Sequence, residues 1–161
     1  MMASRASALE ETLLVTQYEP VKSLGAKYRL KTIWNDKPEL GMSYSMALGL
    51  RAADIGDGYM ILLADQPLIS SHLINRLLAL FEEDKNCIIV PCYKGRNGNP
   101  VIFPADLRKE LLEVRGDIGG REIIKKYSGR VKYIECDDMS IIEDIDVEED
   151  MEHMRWKAKK Y

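Results

Sequence analysis

The sequence is short of cysteine, of net positive charge and of long apolar runs, and each shortage removes a class of protein. Cys87, Cys92 and Cys136 are its three cysteines. An odd count without a Cys-x-x-Cys spacing suits neither a disulfide framework nor a zinc site. Cys87 and Cys92 lie in or beside one apolar run and read as buried thiols, and the balance points to a reducing cytoplasm. A formal net charge of -3 has the wrong sign for a nucleic-acid surface, which should be basic. No apolar run approaches the ~20 residues that span a bilayer, and Met1 to Glu10 lacks the apolar stretch of a signal peptide. Repeats, low-complexity tracts and linkers are missing as well, so residues 1–161 read as a single domain. A hydrophobic content of 46% is enough for an ordinary core.

What is present begins with Tyr59-Met60-Ile61-Leu62-Leu63-Ala64-Asp65-Gln66-Pro67. Tyr59 to Ala64 has the length and composition of a strand buried on both faces, as in a parallel sheet. Pro67 cannot continue a ladder, so the strand is expected to stop near Asp65. That puts an acid at the carboxyl end of a central strand, where open α/β sheets bind ligands, and a lone carboxylate there suits Mg²⁺ carrying substrate phosphates. The same position also suits a residue that merely starts the turn before the next helix, and position alone leaves both readings open.

Strand-like and helix-like segments alternate along the chain. Thr12 to Thr16 reads as a buried strand, Pro20 to Leu24 as a short helix and Thr32 to Trp34 as a short strand. Ser43 to Ala53 reads as a helix with Met46, Leu50 and Ala53 on one face. Ser71 to Glu83 carries a wide apolar stripe, and Cys87 to Val90 is another buried strand. Lys94 to Asn99 followed by Pro100 to Phe103 reads as a hairpin, so part of the sheet should be antiparallel. A helix over Ala105 to Val114, a short one over Arg121 to Tyr127, and strands at Val131 to Glu135 and Ser140 to Ile145 follow. Asp146 caps a last helix, with Glu149 completing a capping box.

Four loops have the makings of a site. Gly41-Met42-Ser43-Tyr44-Ser45 offers free backbone amides at a helix N-terminus to an anion, or Ser43 is simply the N-cap. The Asp65 turn is the second. The third is a pair of glycine loops, Gly95 to Pro100 and Gly116-Asp117-Ile118-Gly119-Gly120-Arg121, each with glycines beside a cation that could approach a phosphate or a flat polar ring. The first of these also reads as a hairpin tip. In the fourth, Asp144-Ile145-Asp146, alternation puts two carboxylates on one face, where they repel unless a cation sits between them.

In this order, Asn35-Asp36, Gly41 to Ser45, Leu62 to Leu68, Gly95 to Val101, Gly116 to Arg121 and Asp144 to Asp150 resemble the MobA-like nucleotidyltransferases. The branch is that of the molybdenum cofactor cytidylyltransferases and molybdenum hydroxylase accessory proteins. The resemblance implies an α/β, Rossmann-like nucleotide-diphospho-sugar transferase fold, with a mixed, mainly parallel sheet flanked by helices. It implies transfer of CMP, or another NMP, from the NTP to molybdopterin with release of pyrophosphate and no covalent enzyme intermediate. Catalysis would be alignment plus charge neutralisation by Mg²⁺ and cations. By the same resemblance Asp65 is the catalytic Mg²⁺ ligand, with Asp144 or Asp146 across the metal. Gly41, Ser43 and Ser45 lie near the nucleotide, and Asn99, Asp117 and Arg121 lie toward the pterin. A molybdopterin-type cofactor, and a molybdenum hydroxylase beyond it, are the implied partners, and a homo-oligomer is compatible.

The resembled family opens with a strand and a triphosphate loop of the type Leu-Ala-Ala-Gly-x-Ser-x-Arg-Met-Gly. Thr12 to Thr16 resembles its second strand, so the expectation is a domain without the first strand and that loop. The space would be filled by a partner chain, by direct pairing of the flanking strands or by a rearranged N-terminus. Nucleotide transfer by the chain as given is then expected to be poor, and a non-catalytic relative that binds the cofactor or a partner is the alternative.

Overall fold

The computed structural model describes residues 2–5, 7–137 and 139–142. In chain order the elements are α1 (Met2–Arg5), β1 (Leu13–Thr16), α2 (Glu19–Lys27), β2 (Lys31–Trp34), α3 (Met42–Ala52), β3 (Gly58–Ile61), α4 (Ser71–Glu83), β4 (Ile88–Tyr93), β5 (Arg96–Asn97), β6 (Val101–Pro104), α5 (Arg108–Glu113), α6 (Arg121–Lys126) and β7 (Val131–Glu135).

The strongest local signals build the centre. Leu73, Ile74, Leu77 and Phe81 recur at three- and four-residue steps on α4 and are all buried, the stripe an amphipathic helix needs. Ser70 Oγ accepts the Leu73 amide at 3.2 Å and starts that helix. Ile88 to Cys92 of β4 are buried without a break. Ile88, Val90 and Cys92 pack on one face with Leu50 of α3, Leu111 of α5 and Ile123 of α6. Ile89 packs on the other face with Leu77 of α4 and with Ile141. The sheet is thus covered on both sides, and each fully buried aliphatic side chain contributes up to about 1.5–3 kcal/mol.

The strand directions differ from the mainly parallel expectation. β1 and β2 form a parallel two-stranded sheet. The other five strands form a second sheet in the order β3-β6-β4-β5, with β7 on β4. Within it β6 runs antiparallel to both β3 and β4, and only β4 and β7 are parallel. The reason is the turn at Lys94-Gly95, where φ is 47° and 75°. Two consecutive left-handed residues make the mirror-type hairpin that reverses a chain tightly. The returning β6 inserts between β3 and β4, so Tyr59 pairs with Phe103.

The Tyr59 run is therefore an edge of its sheet rather than a central strand. It ends at Ile61, and Leu62 is exposed. Among the described residues β1 pairs only with β2, and β3 only with β6. The strands expected to flank a missing one do not pair with each other. The N-terminal residues do not lie between them either: α1 packs on α4, and the Ala8 amide donates to Asn75 Oδ1 of that helix at 2.8 Å. Leu13, Leu14 and Val15 stay half-buried, as one-sided pairing leaves them. The strand expected from Ser140 is a 3-10 turn, Met139–Ile141. Residues 143–145 of that expected strand and the last helix lie outside the described residues. No described helix is long and apolar enough to cross a membrane.

Candidate active site

The first group of site residues gathers where β1 and β2 end and α3 begins. The Asn35 amide continues the pairing by donating to the Thr16 carbonyl at 2.9 Å. The Asn35 side chain, buried at 5% exposure, donates through Nδ2 to Ser45 Oγ at 2.9 Å and accepts the Lys37 amide at 2.9 Å. On the adjacent residues the Tyr44 hydroxyl donates to Asp36 Oδ1 at 3.0 Å, and that bond pushes the phenol above its ordinary pKa.

The amides at the start of α3 are not open to an anion. The Met42 amide donates to Asp117 Oδ1 at 3.1 Å and the Ser43 amide to the Gly116 carbonyl at 3.2 Å. Asp117 supplies from a distant loop the acceptor that an N-cap side chain usually provides. Ser43 is not the N-cap. Gly41 holds that place, and Ser43 is buried with an Oγ that has no hydrogen-bond partner among the described residues. Gly41 has φ 79°, and a Cβ there would come within 3.0 Å of the Gly116 backbone, so the contact between the two loops needs glycine.

The second group gathers on the carbonyl of Ile141. The Asn99 amide donates to it at 2.9 Å, and Gln66 Nε2, from a side chain 5% exposed, approaches it at 3.4 Å. Gly98 donates to the Pro91 carbonyl at 2.8 Å. The Asp-Gln-Pro turn and the Gly-Asn-Pro loop therefore meet at the segment that leads toward Asp144 and Asp146, both of which lie outside the described residues. Asp65 is exposed on a turn four residues past β3, not at the strand end. Among the described residues no three His, Cys, Asp or Glu come together to hold a metal, so a cation shared with Asp65 would draw on residues beyond Ile142.

The expected nucleotide and pterin residues are thus regrouped. Gly41, Ser43 and Asp117 are together, Asn99 is with Gln66, and Arg121 is exposed at the start of α6. Asn35, Tyr44 and Gln66 stand in stretches that carry the family resemblance, but the resemblance assigned them no role. The polar pair Asn35-Asp36 directly after a strand was the available signal. A cleft of about 440 Å³ lined by Leu40, Tyr44, Ala47, Arg51 and Arg115 lies on another face of α3 from Ser45, by helix periodicity.

Purine catabolism protein PucB of Bacillus subtilis (strain 168) is 29% identical over 161 residues, covering 92% of this chain and 77% of that protein. Nicotine blue oxidoreductase of Paenarthrobacter nicotinovorans is 31% identical over 119 residues, covering 69% of this chain and 57% of that protein. The crystal structure of Rv0371C of Mycobacterium tuberculosis H37Rv in complex with manganese superposes with a TM-score of 0.77 at 19% identity, covering 95% of this chain and 82% of that one. Likeness at that identity shows a shared fold, the nucleotidyltransferase-like α/β fold. Residues 1–131 match the MobA-like NTP transferase domain, and the chain belongs to that family.

Proposed function

We propose that the chain is an NTP transferase domain of molybdenum cofactor maturation, with CTP or another NTP as donor and molybdopterin as acceptor. The terminal phosphate oxygen of the pterin would bond to the α-phosphorus as the bond from that phosphorus to the bridging oxygen breaks and pyrophosphate leaves. The observation that carries this reading is the meeting of Gln66, Asn99 and Ile141. It ties the turn bearing Asp65 to the segment leading to Asp144 and Asp146, and to the loop proposed to face the pterin.

Asp65, an exposed oxygen donor, fits a hard divalent cation, and Asp144 or Asp146 would complete its ligands. Bound there, Mg²⁺ would supply charge neutralisation to the phosphates. Asn35 and Ser45 would position the nucleotide, and Asn99 and Arg121 the pterin. A molybdenum hydroxylase is the proposed recipient of the product.

A second reading, a non-catalytic relative that binds cofactor or partner, is favoured by the α3 amides already held by Asp117 and Gly116. The test is calorimetry of Mg²⁺ and CTP with the chain and its Asp65→Asn variant, followed by pyrophosphate release with molybdopterin. Mg²⁺-dependent CTP binding lost in Asp65→Asn, with turnover near ~1 s⁻¹, supports the transferase. Pterin binding without CTP binding or turnover supports the second reading.

A further inference from the structure

We propose that the cleft between α3 and the loop after α5 is a second ligand site, apart from the face of α3 that carries Ser45, and that it takes a small organic anion, a carboxylate or phosphate head on an apolar body. The inference does not depend on the transferase reading.

Helix geometry sets the two faces apart. Ser43, Ala47 and Arg51 recur at four-residue steps with Tyr44 beside them, so the four share a sector of roughly 100° on α3, and Ser45 stands roughly 150° from its middle. That sector, with Leu40 before the helix and Val114, Arg115 and Gly116 across from it, lines about 440 Å³, a volume that suits a small molecule. Ala47 and Val114, both buried, and the large apolar side chain of Leu40 give it an apolar wall, against which the body of a ligand leaves water.

Three donor side chains stand on this lining. Ser43, at 1% exposure, is the most deeply buried of them, and its Oγ has no hydrogen-bond partner among the described residues. A hydroxyl withdrawn from water without an acceptor is costly, and a ligand oxygen seated on that face would supply one. Arg115 is held in place at the end of α5, where its Nη1 donates to the Leu112 and Val114 carbonyls at 2.9 Å each. Its other guanidinium nitrogens make no hydrogen bond among the described residues. Arg51 is exposed, and no described residue takes a hydrogen bond or ion pair from it. The Tyr44 phenol, raised by its hydrogen bond to Asp36, is pulled the other way by the Arg51 charge, so that charge acts on the same wall. Glu39 is the one acid of the lining, against two arginines. Guanidinium groups take carboxylate and phosphate through paired N–H donors, which makes an anionic head the chemistry that fits.

The experiment titrates 2-naphthoate, 2-naphthyl phosphate and the neutral 2-naphthamide into the full chain by calorimetry and ligand-observed NMR. It is repeated with Ser43→Ala, Arg51→Gln and Lys27→Gln, the last an exposed cation on α2, and circular dichroism establishes folding. At least one anion should bind with a Kd of about 1 mM or tighter, as about a dozen heavy atoms at ordinary ligand efficiency give, and the tighter of the two names the head group. The amide should bind at least about tenfold more weakly, since it lacks the charge-assisted hydrogen bonds. Ser43→Ala and Arg51→Gln should each weaken the anion about tenfold, while Lys27→Gln leaves it unchanged. CTP with Mg²⁺ should not displace it. Saturable binding of neither anion, amide binding equal to theirs, or a folded Ser43→Ala or Arg51→Gln chain with the native affinity would overturn the site. Displacement by CTP would make the cleft part of the nucleotide site and overturn its separateness.

Discussion

The Asn99 amide donates to the Ile141 carbonyl at 2.9 Å, across 42 positions of sequence, and Gly98 makes that approach possible. A Cβ on Gly98 would lie 2.5 Å from the Ile141 oxygen and 2.8 Å from its Cβ. Only a residue without a side chain lets the Gly-Asn-Pro loop touch the segment that leads on toward Asp144.

Gly98→Ala should therefore separate the two segments. Overpacking against backbone costs typically ~1–3 kcal/mol, which chemical denaturation would read as a lower midpoint with an unchanged m-value. Mg²⁺-dependent nucleotide binding should weaken as well. Unchanged stability together with unchanged binding would mean that the Ile141 contact is dispensable.

Asp117→Ala should destabilise α3 although it lies outside that helix. It removes the acceptor for the Met42 amide, worth ~1 kcal/mol as a cap, with a few tenths more from the negative charge at the helix N-terminus. Asp117→Asn should keep most of the cap. The freed amide in Asp117→Ala should also bind inorganic phosphate more tightly, measurable by competition with a nucleotide.

Ser43→Ala should be neutral or slightly stabilising. If Ser43 were the N-cap, the change would cost ~1 kcal/mol. Its buried Oγ has no partner among the described residues, and replacing an unsatisfied hydroxyl by an apolar group relieves a desolvation cost. A fall in thermal midpoint of several degrees would contradict this placement.

Acid should weaken two ion pairs, Glu110 of α5 with Lys126 of α6 and Asp106 just before α5 with Arg130 just after α6. Hydrogen bonds from Lys126 and then Tyr127 hold the Glu110 carboxyl below its usual range, and Arg130 does the same for Asp106. A depressed folded pKa contributes stability above the unfolded pKa, and the contribution is lost as pH falls through the folded value. The window lies below about pH 4, the unfolded range of these acids. Glu110→Gln should flatten the acid limb of a stability–pH curve there and leave the neutral region nearly parallel to the native one.

Much of the fold was legible locally. The stripe on α4 and the unbroken run of β4 report burial through periodicity and β-branched content, which need no knowledge of neighbours, and the Val131–Glu135 strand formed where its β-branched residues placed it. The Gly116 to Gly120 stretch is a loop, as its glycines required, with φ of 78° at Gly116 and 58° at Gly119. The Tyr59 run misled because an apolar strand reads the same whether a neighbour lies on one side or both. Its place at a sheet edge follows from β6 inserting beside it.

The sequence by itself determined which segments are apolar, where the glycines and prolines break them, and the ordered motifs that identify the family. Tertiary structure alone decided the partners. Met42 and Asp117 stand 75 positions apart, as do Gln66 and Ile141, and no local pattern encodes which distant carboxylate or carbonyl will satisfy a given donor. That choice is made when the layers pack, because a backbone amide or carbonyl taken out of water must find whatever acceptor or donor the fold brings near it. The chemistry was readable as residue types, but the pairing of those types became definite only once the sheets had closed around them.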